Sequence, residues 1–242
     1  MLRSLLLVLT LCSTCVMRSF AQDCSTLPWE ANLTYQVNSI ESVTIRDMSK
    51  VASDALLPLS IGIPVGMYLF GILEVGNIPS GGNYRYAAES GLQTFVTMGA
   101  TYGVVLLLKN IIDRPRPYQE YPGCITNYRN DADGSMPSGH SAGAAALATA
   151  LCLRYPQWYV IAPSVAYALY TGFARMNLGM HYLSDVLVGY AIGVGIALGV
   201  NALNNALFDL AEPILPPNGY HYSMLYLTPT QSVPVFSLTV PF

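Results

Sequence analysis

His140 and His181 stand at the mouths of apolar stretches, in "PSGHSAGAAALATALCLRYP" and "MHYLSDVLVGYAIGVG", where a titratable ring has no obvious packing role. Asp185 follows His181 by four residues. If that stretch is helical, the carboxylate lies beside the ring. Such a pair is either an ordinary helix contact or a dyad in which the carboxylate fixes the tautomer and leaves the other ring nitrogen as nucleophile or base. The second imidazole, His140, supplies a proton donor for a leaving group. Lys109, Arg114, Arg116 and Arg175, drawn from the 11 basic residues of the chain, also sit at the edges of apolar segments. A single cation there ordinarily snorkels to the interface, whereas four on one face describe an anion site. "PSGH" suits an anion as well. Pro137 and Gly139 shape a turn into a helix whose first N–H groups carry partial positive charge. Ser138 is either a simple N-cap or a cap that also donates to an oxyanion.

The elements that must position these groups are apolar. Over half of the 242 residues are hydrophobic and only 10% are charged, which excludes an ordinary soluble domain and points to a membrane protein. Five apolar segments run near 55–73, 91–108, 139–155, 157–173 and 184–204, the third being short for a span, at about 25 Å against about 30 Å of hydrocarbon. Counting crossings brings Lys109, Ser138 and the Arg175 to Asp185 region to one face. Glycines at 189, 193, 195 and 199 and alanines at 144–146 read as helix packing.

Flanking regions are read as follows. Residues 1–21 resemble a cleaved export signal, with a retained first helix as the alternative. Residues 22–39 read as loop. The stretch from Ile40 to Leu57 reads as an amphipathic helix on the membrane surface or an ordinary packing helix, within an export-side segment 22–54. The tail 205–242 carries alternating apolar residues that read as a β-hairpin around Pro229 to Ser232. The expected fold class is therefore all-α, a bundle of about five transmembrane helices with an N-terminal surface helix and a short C-terminal hairpin. Cys24 and Cys124 are the export-side cysteines and are candidates to pair. No cysteine spacing suggests a metal, and a net charge of -3 gives no reason to expect a nucleic-acid partner.

Three motifs together carry a family resemblance: Lys109 followed after six residues by Arg116-Pro117, "PSGH" at Pro137 to His140, and Arg175, five residues, His181, three residues, Asp185. The chain resembles the type 2 phosphatidic acid phosphatase superfamily, which also contains class A acid phosphatases and vanadium haloperoxidases, over residues 55–204. One position departs: Ala174 stands where the family usually has serine. The resemblance implies that His181 attacks phosphorus to give a phosphohistidine with Asp185 orienting it, that His140 protonates the departing oxygen, and that Lys109, Arg116, Ser138, Gly139 and Arg175 hold the phosphoryl oxygens. It implies no metal and no cofactor. Arg114 has no counterpart in that pattern and reads as an interface anchor.

The expected activity is hydrolysis of a lipid phosphate or diphosphate, the partners being that substrate and membrane lipids. A phosphotransferase, a haloperoxidase and a non-catalytic lipid-binding protein are the alternatives. The signal places the site on the periplasmic side of a bacterial inner membrane, although the distribution of Lys and Arg between the two faces argues the other way.

Overall fold

A computed structural model describes residues 23–73, 84–129 and 133–216. Among them the structure is entirely helical: α1 Trp29–Asn38, α2 Val43–Leu73, α3 Tyr84–Ile112, α4 Pro117–Glu120, α5 Gly139–Arg154, α6 Trp158–Asn177, α7 Leu183–Ala202 and α8 Asn204–Ala211. The expected signal and C-terminal hairpin lie outside the described residues.

Among the described residues, three helices are long and apolar enough to cross a membrane: α2, α3 with its short continuation to Glu120, and α7. Their outward faces show large apolar side chains, such as Leu57, Leu69 and Phe70 on α2, Leu106 and Leu107 on α3, and Leu187 and Leu198 on α7. Small polar residues point inward instead. On α3, Thr94, Thr97 and Thr101 are buried and each donates to the carbonyl four residues earlier, at 2.7 to 2.8 Å. Hydroxyls satisfied this way cost little inside a bundle surrounded by hydrocarbon.

About five spans are expected, and length and composition alone do not confirm that count, because two of the five helices fall short of these criteria. Helix α5 has only 16 residues, and nine of them are buried against its neighbours. Helix α6 is 20 residues long, but Tyr159, Tyr167, Tyr170, Pro163 and Ser164 dilute its apolar character.

Close approach of α5 and α7 is made possible by Gly189 and Gly193. A Cβ at Gly189 would come within 2.6 Å of the Ser138 carbonyl oxygen, and one at Gly193 would overlap the carbonyl of Ala142. Gly195 and Gly199, grouped with them above, face open space and take no part.

Two further expectations are corrected at the N-terminal side. The amphipathic stretch and the first apolar segment form one helix of 31 residues, which runs through Pro58 and Pro64. A helix interior tolerates proline where neighbouring helices support the freed carbonyls. The segment 22–39 contains helix α1, whose buried positions are Ala31, Thr34 and Asn38. Cys24 and Cys124 form a disulfide beside it. Leu27, Ala31, Cys124, Ile125 and Tyr182 pack into one cluster around that bridge. Asn38 secures the far end of α1, donating to the carbonyls of Thr126 at 3.0 Å and Asn177 at 2.9 Å, and accepting from Thr126 N–H at 2.8 Å.

Candidate active site

Helices α3 and α6 end, and α5 and α7 begin, at the same end of the bundle, the end covered by α1 and its disulfide. That arrangement gathers the chemistry-bearing residues around His181. This ring is 1% exposed and lies within the fields of Arg175, Arg116, Lys109 and His140. Burial, reinforced by those four groups, pushes the imidazole well below its ordinary range. His181 is consequently neutral at working pH.

Its tautomer is assigned by its partners. Nδ1 lies 2.7 Å from the carbonyl oxygen of Ser135, an acceptor only, so Nδ1 carries the hydrogen. The lone pair is then on Nε2, and Arg116 Nη1 approaches that nitrogen at 3.4 Å.

Asp185 takes a different place from a simple ring partner. Helix α7 starts only at Leu183, so His181 precedes it, and Asp185 closes a capping box by accepting from the Tyr182 N–H at 2.8 Å. Its Oδ2 lies 3.7 Å from His181 Nδ1. The direct hydrogen bond to that nitrogen belongs to Ser135, a residue singled out by no motif above.

Arg114, read from sequence as an interface anchor, is instead a structural partner of Asp185. It donates to Asp185 Oδ1 at 2.8 Å and to Ser184 Oγ at 2.7 Å, reaches Glu30 at 3.1 Å, and stacks 4.0 Å over the Tyr182 ring. Glu30, on α1, also accepts from the Ser184 N–H at 2.7 Å. Burial would raise this carboxyl, but the donors Ser184 and Arg114 outweigh it and hold Glu30 below its ordinary range. A chain of contacts thus runs from the disulfide-held α1 through Arg114 to the buried Asp185.

Among the phosphate-binding candidates, Lys109 is 6% exposed, Arg116 1% and Arg175 fully buried. Arg116 donates from Nε to the Asp133 carbonyl at 2.9 Å and from Nη1 to the Met180 carbonyl at 3.1 Å. Arg175 donates to Ser53 Oγ of α2 at 2.7 Å. Ser138 caps α5, accepting from the N–H and the hydroxyl of Ser141 at 3.3 and 2.8 Å, while its own N–H donates to the Asp185 carbonyl at 3.0 Å. Gly139 and His140 form the first turn of α5, with His140 half-buried. Ala174 is fully buried in the last turn of α6, and no group of three or more metal-ligating side chains occurs among the described residues.

Sequence reasoning missed Glu30, Ser53, Asp133 and Ser135. Asp133 carried no signal within a loop of ordinary polar composition, and Ser135 reaches His181 through its backbone carbonyl.

Comparison with known proteins bears on the family and the fold. The PAP2 superfamily matches residues 90–209, from α3 to α8. The chain is 32% identical over 117 residues to the lipid A 1-phosphatase of Rhizobium johnstonii, 47% of each chain being covered. It is 29% identical over 134 residues to the undecaprenyl-diphosphatase of Bacillus subtilis, covering 54% of this chain and 63% of that protein. The chain therefore spans about half the length of the first of these curated relatives and less than two thirds of the second. A crystal structure of a transmembrane PAP2 type phosphatidylglycerolphosphate phosphatase from Bacillus subtilis superposes with a TM-score of 0.57 at 20% identity, covering 84% of this chain and 95% of that one. That likeness establishes the fold. With three membrane-length apolar helices among the described residues and the three motifs gathered around His181, the chain is an integral membrane protein of bacterial type whose residues 90–209 form a PAP2 superfamily region.

Proposed function

We propose that the protein is a metal-independent phosphatase that hydrolyses a lipid phosphate or diphosphate through a phosphohistidine. The observation that carries this reading is the state of His181: a buried, neutral imidazole with its Nδ1 hydrogen committed to Ser135 and its Nε2 lone pair turned toward Arg116. A neutral ring beside several fixed cations is what nucleophilic attack on an anionic phosphorus requires.

In the proposed sequence, Nε2 attacks phosphorus and the bond to the leaving oxygen breaks. His140 delivers a proton to that oxygen. The imidazolium created on His181 keeps its Nδ1 hydrogen on the Ser135 carbonyl and lies near the Asp185 carboxylate. Lys109, Arg116 and Arg175, with Ser138 and the Gly139 N–H, hold the three equatorial oxygens. His140, now neutral, takes a proton from water, whose oxygen attacks phosphorus and releases orthophosphate from Nε2.

A lipid substrate is supported by the relatives, which act on lipid A and undecaprenyl diphosphate, and by the apolar helices that surround the site. The disulfide adjoining Tyr182 supports a site on the oxidising, periplasmic face of the inner membrane. Purified protein is expected to release phosphate from at least one member of a panel containing lipid A, undecaprenyl diphosphate, phosphatidate and phosphatidylglycerophosphate, unaffected by chelator. His181→Ala should remove that turnover. Undiminished hydrolysis by the variant would sink the mechanism.

A further inference from the structure

Asp133 places a carboxylate on two of the cations assigned to phosphate. Its Oδ2 pairs with Lys109 Nζ at 2.8 Å and its Oδ1 with Arg116 Nη2 at 2.5 Å. Each oxygen thus takes a different cation, as two oxygens of a phosphoryl group would. The same guanidinium that holds Oδ1 on Nη2 presents Nη1 to His181 Nε2, so the carboxylate stands one prong from the attacking nitrogen.

A supporting role for this side chain is the ordinary interpretation, and the backbone argues against it. Lys109 Nζ also donates to the Gly134 carbonyl at 2.5 Å, and Arg116 donates to the carbonyls of Asp133 and Met180. Backbone oxygens therefore fix both cations without the carboxylate. The Asp133 side chain is 50% exposed, whereas those of Lys109 and Arg116 are 7% and 1% exposed. More exposed than either cation, this carboxylate can leave them by rotation about its own side-chain bonds. Burial would raise this carboxyl, but Lys109 and Arg116 draw it down to about 2, so it remains an anion at every working pH.

The geometry points to Asp133 as a built-in competing anion: its carboxylate holds Lys109 and Arg116 between turnovers, yields them to the phosphoryl group of the substrate, and reclaims them as orthophosphate leaves. This rests on the phosphatase reading above and deepens it. Phosphate and carboxylate cannot hold the same two cations together, because like charges so close repel. A buried set of cations with no competitor would retain the small dianionic product. A tethered carboxylate at the same donors lowers that retention. The lipid substrate keeps its apolar contacts and loses less.

The test measures binding of orthophosphate and orthovanadate to purified protein by calorimetry, beside product inhibition during hydrolysis of dioctanoyl phosphatidate. Asp133→Asn should tighten both anions by about tenfold, the scale of one charge-assisted pair, and should lower KM without raising kcat. Asp133→Glu, which keeps the charge, should stay within about threefold of the parent. Weaker or unchanged anion binding in Asp133→Asn would overturn the inference, as would a Glu variant behaving like Asn. If the Asn variant does not fold, Asp133→Ser carries the same comparison. The binding arm needs no turnover: a parent protein inert toward every lipid phosphate defeats the phosphatase reading, while the two anions still report on Asp133.

Discussion

Removing the Cys24–Cys124 bridge, by Cys24→Ala with Cys124→Ala, tests whether α1 steadies the active site. The bridge joins residues 100 apart in sequence. For a freely flexible loop of that size, chain entropy alone would give about 4.7 kcal/mol. Most of this loop is not free, however, because α2 and α3 remain a helical hairpin in the bilayer when the covered end opens. Only the connections on either side of that hairpin gain freedom, about 30 residues, for which the same relation gives about 3.6 kcal/mol. Spread over a domain of this size, that corresponds to a fall in Tm of about 10 °C.

The effect on catalysis follows the contacts. Loosening α1 withdraws Glu30 from Arg114 and Ser184, which hold and adjoin Asp185, while Lys109, Arg116 and Arg175 keep their own partners. The expected result is a kcat reduced by about fivefold, the size of a lost exposed or half-exposed contact, with KM within twofold. Thermal unfolding in detergent and steady-state hydrolysis of a lipid phosphate measure both. A Tm within about 2 °C of the parent, with loss of the bridge verified by mass, would refute the entropy argument. A raised KM at constant kcat would refute the route through Glu30.

Two other outcomes are expected. Arg114→Met strands a fully buried carboxylate; broken buried pairs cost 3–5 kcal/mol, and with the Arg114 side chain 25% exposed about 2 kcal/mol is expected here, with kcat down about tenfold and KM unchanged. Unaltered stability by chemical denaturation would show that the remaining donors, Tyr182 N–H and Ser135, satisfy Asp185. His181 should remain a neutral Nδ1–H tautomer as pH falls from 8 to 6.5, where a free imidazole is half-protonated, because its folded value lies well below 6.5. By linkage the unfolded chain binds the extra proton, so this group lowers folding stability as pH drops below 6.5 and has no such effect above it. Nitrogen NMR of labelled histidine that shows His181 titrating near 6.5 would contradict the burial argument.

What could be read from sequence divides along physical lines. The gathering of Lys109, Ser138 and the Arg175 to Asp185 region at one end was legible because crossing parity puts those helix ends together. Helix α1 was not, because its buried face is Ala31, Thr34 and Asn38, a pattern without hydrophobic periodicity. The break expected near residue 55 reflects a change of surroundings along one helix, from an amphipathic end to a lipid-facing one, rather than an interruption of its backbone. Helix α5 looked like a weak span because its alanines answer to close packing against α7, which makes no demand for length. Arg114 and Asp133 were opaque for a common reason: their importance lies in partners far away in the chain.

The length of α2 carries a consequence for how this protein would meet its substrate. Its 31 residues rise about 46 Å, and the stretch beyond Ser53, the residue bonded to Arg175, accounts for about 30 Å, the thickness of the hydrocarbon layer. On the proposed reading the site would then sit level with the headgroups, and a lipid phosphate would arrive by diffusion within the sheet rather than from solution. Its rate should follow the mole fraction of lipid phosphate in the surface, so that adding detergent slows the reaction even when the bulk concentration of substrate is held constant.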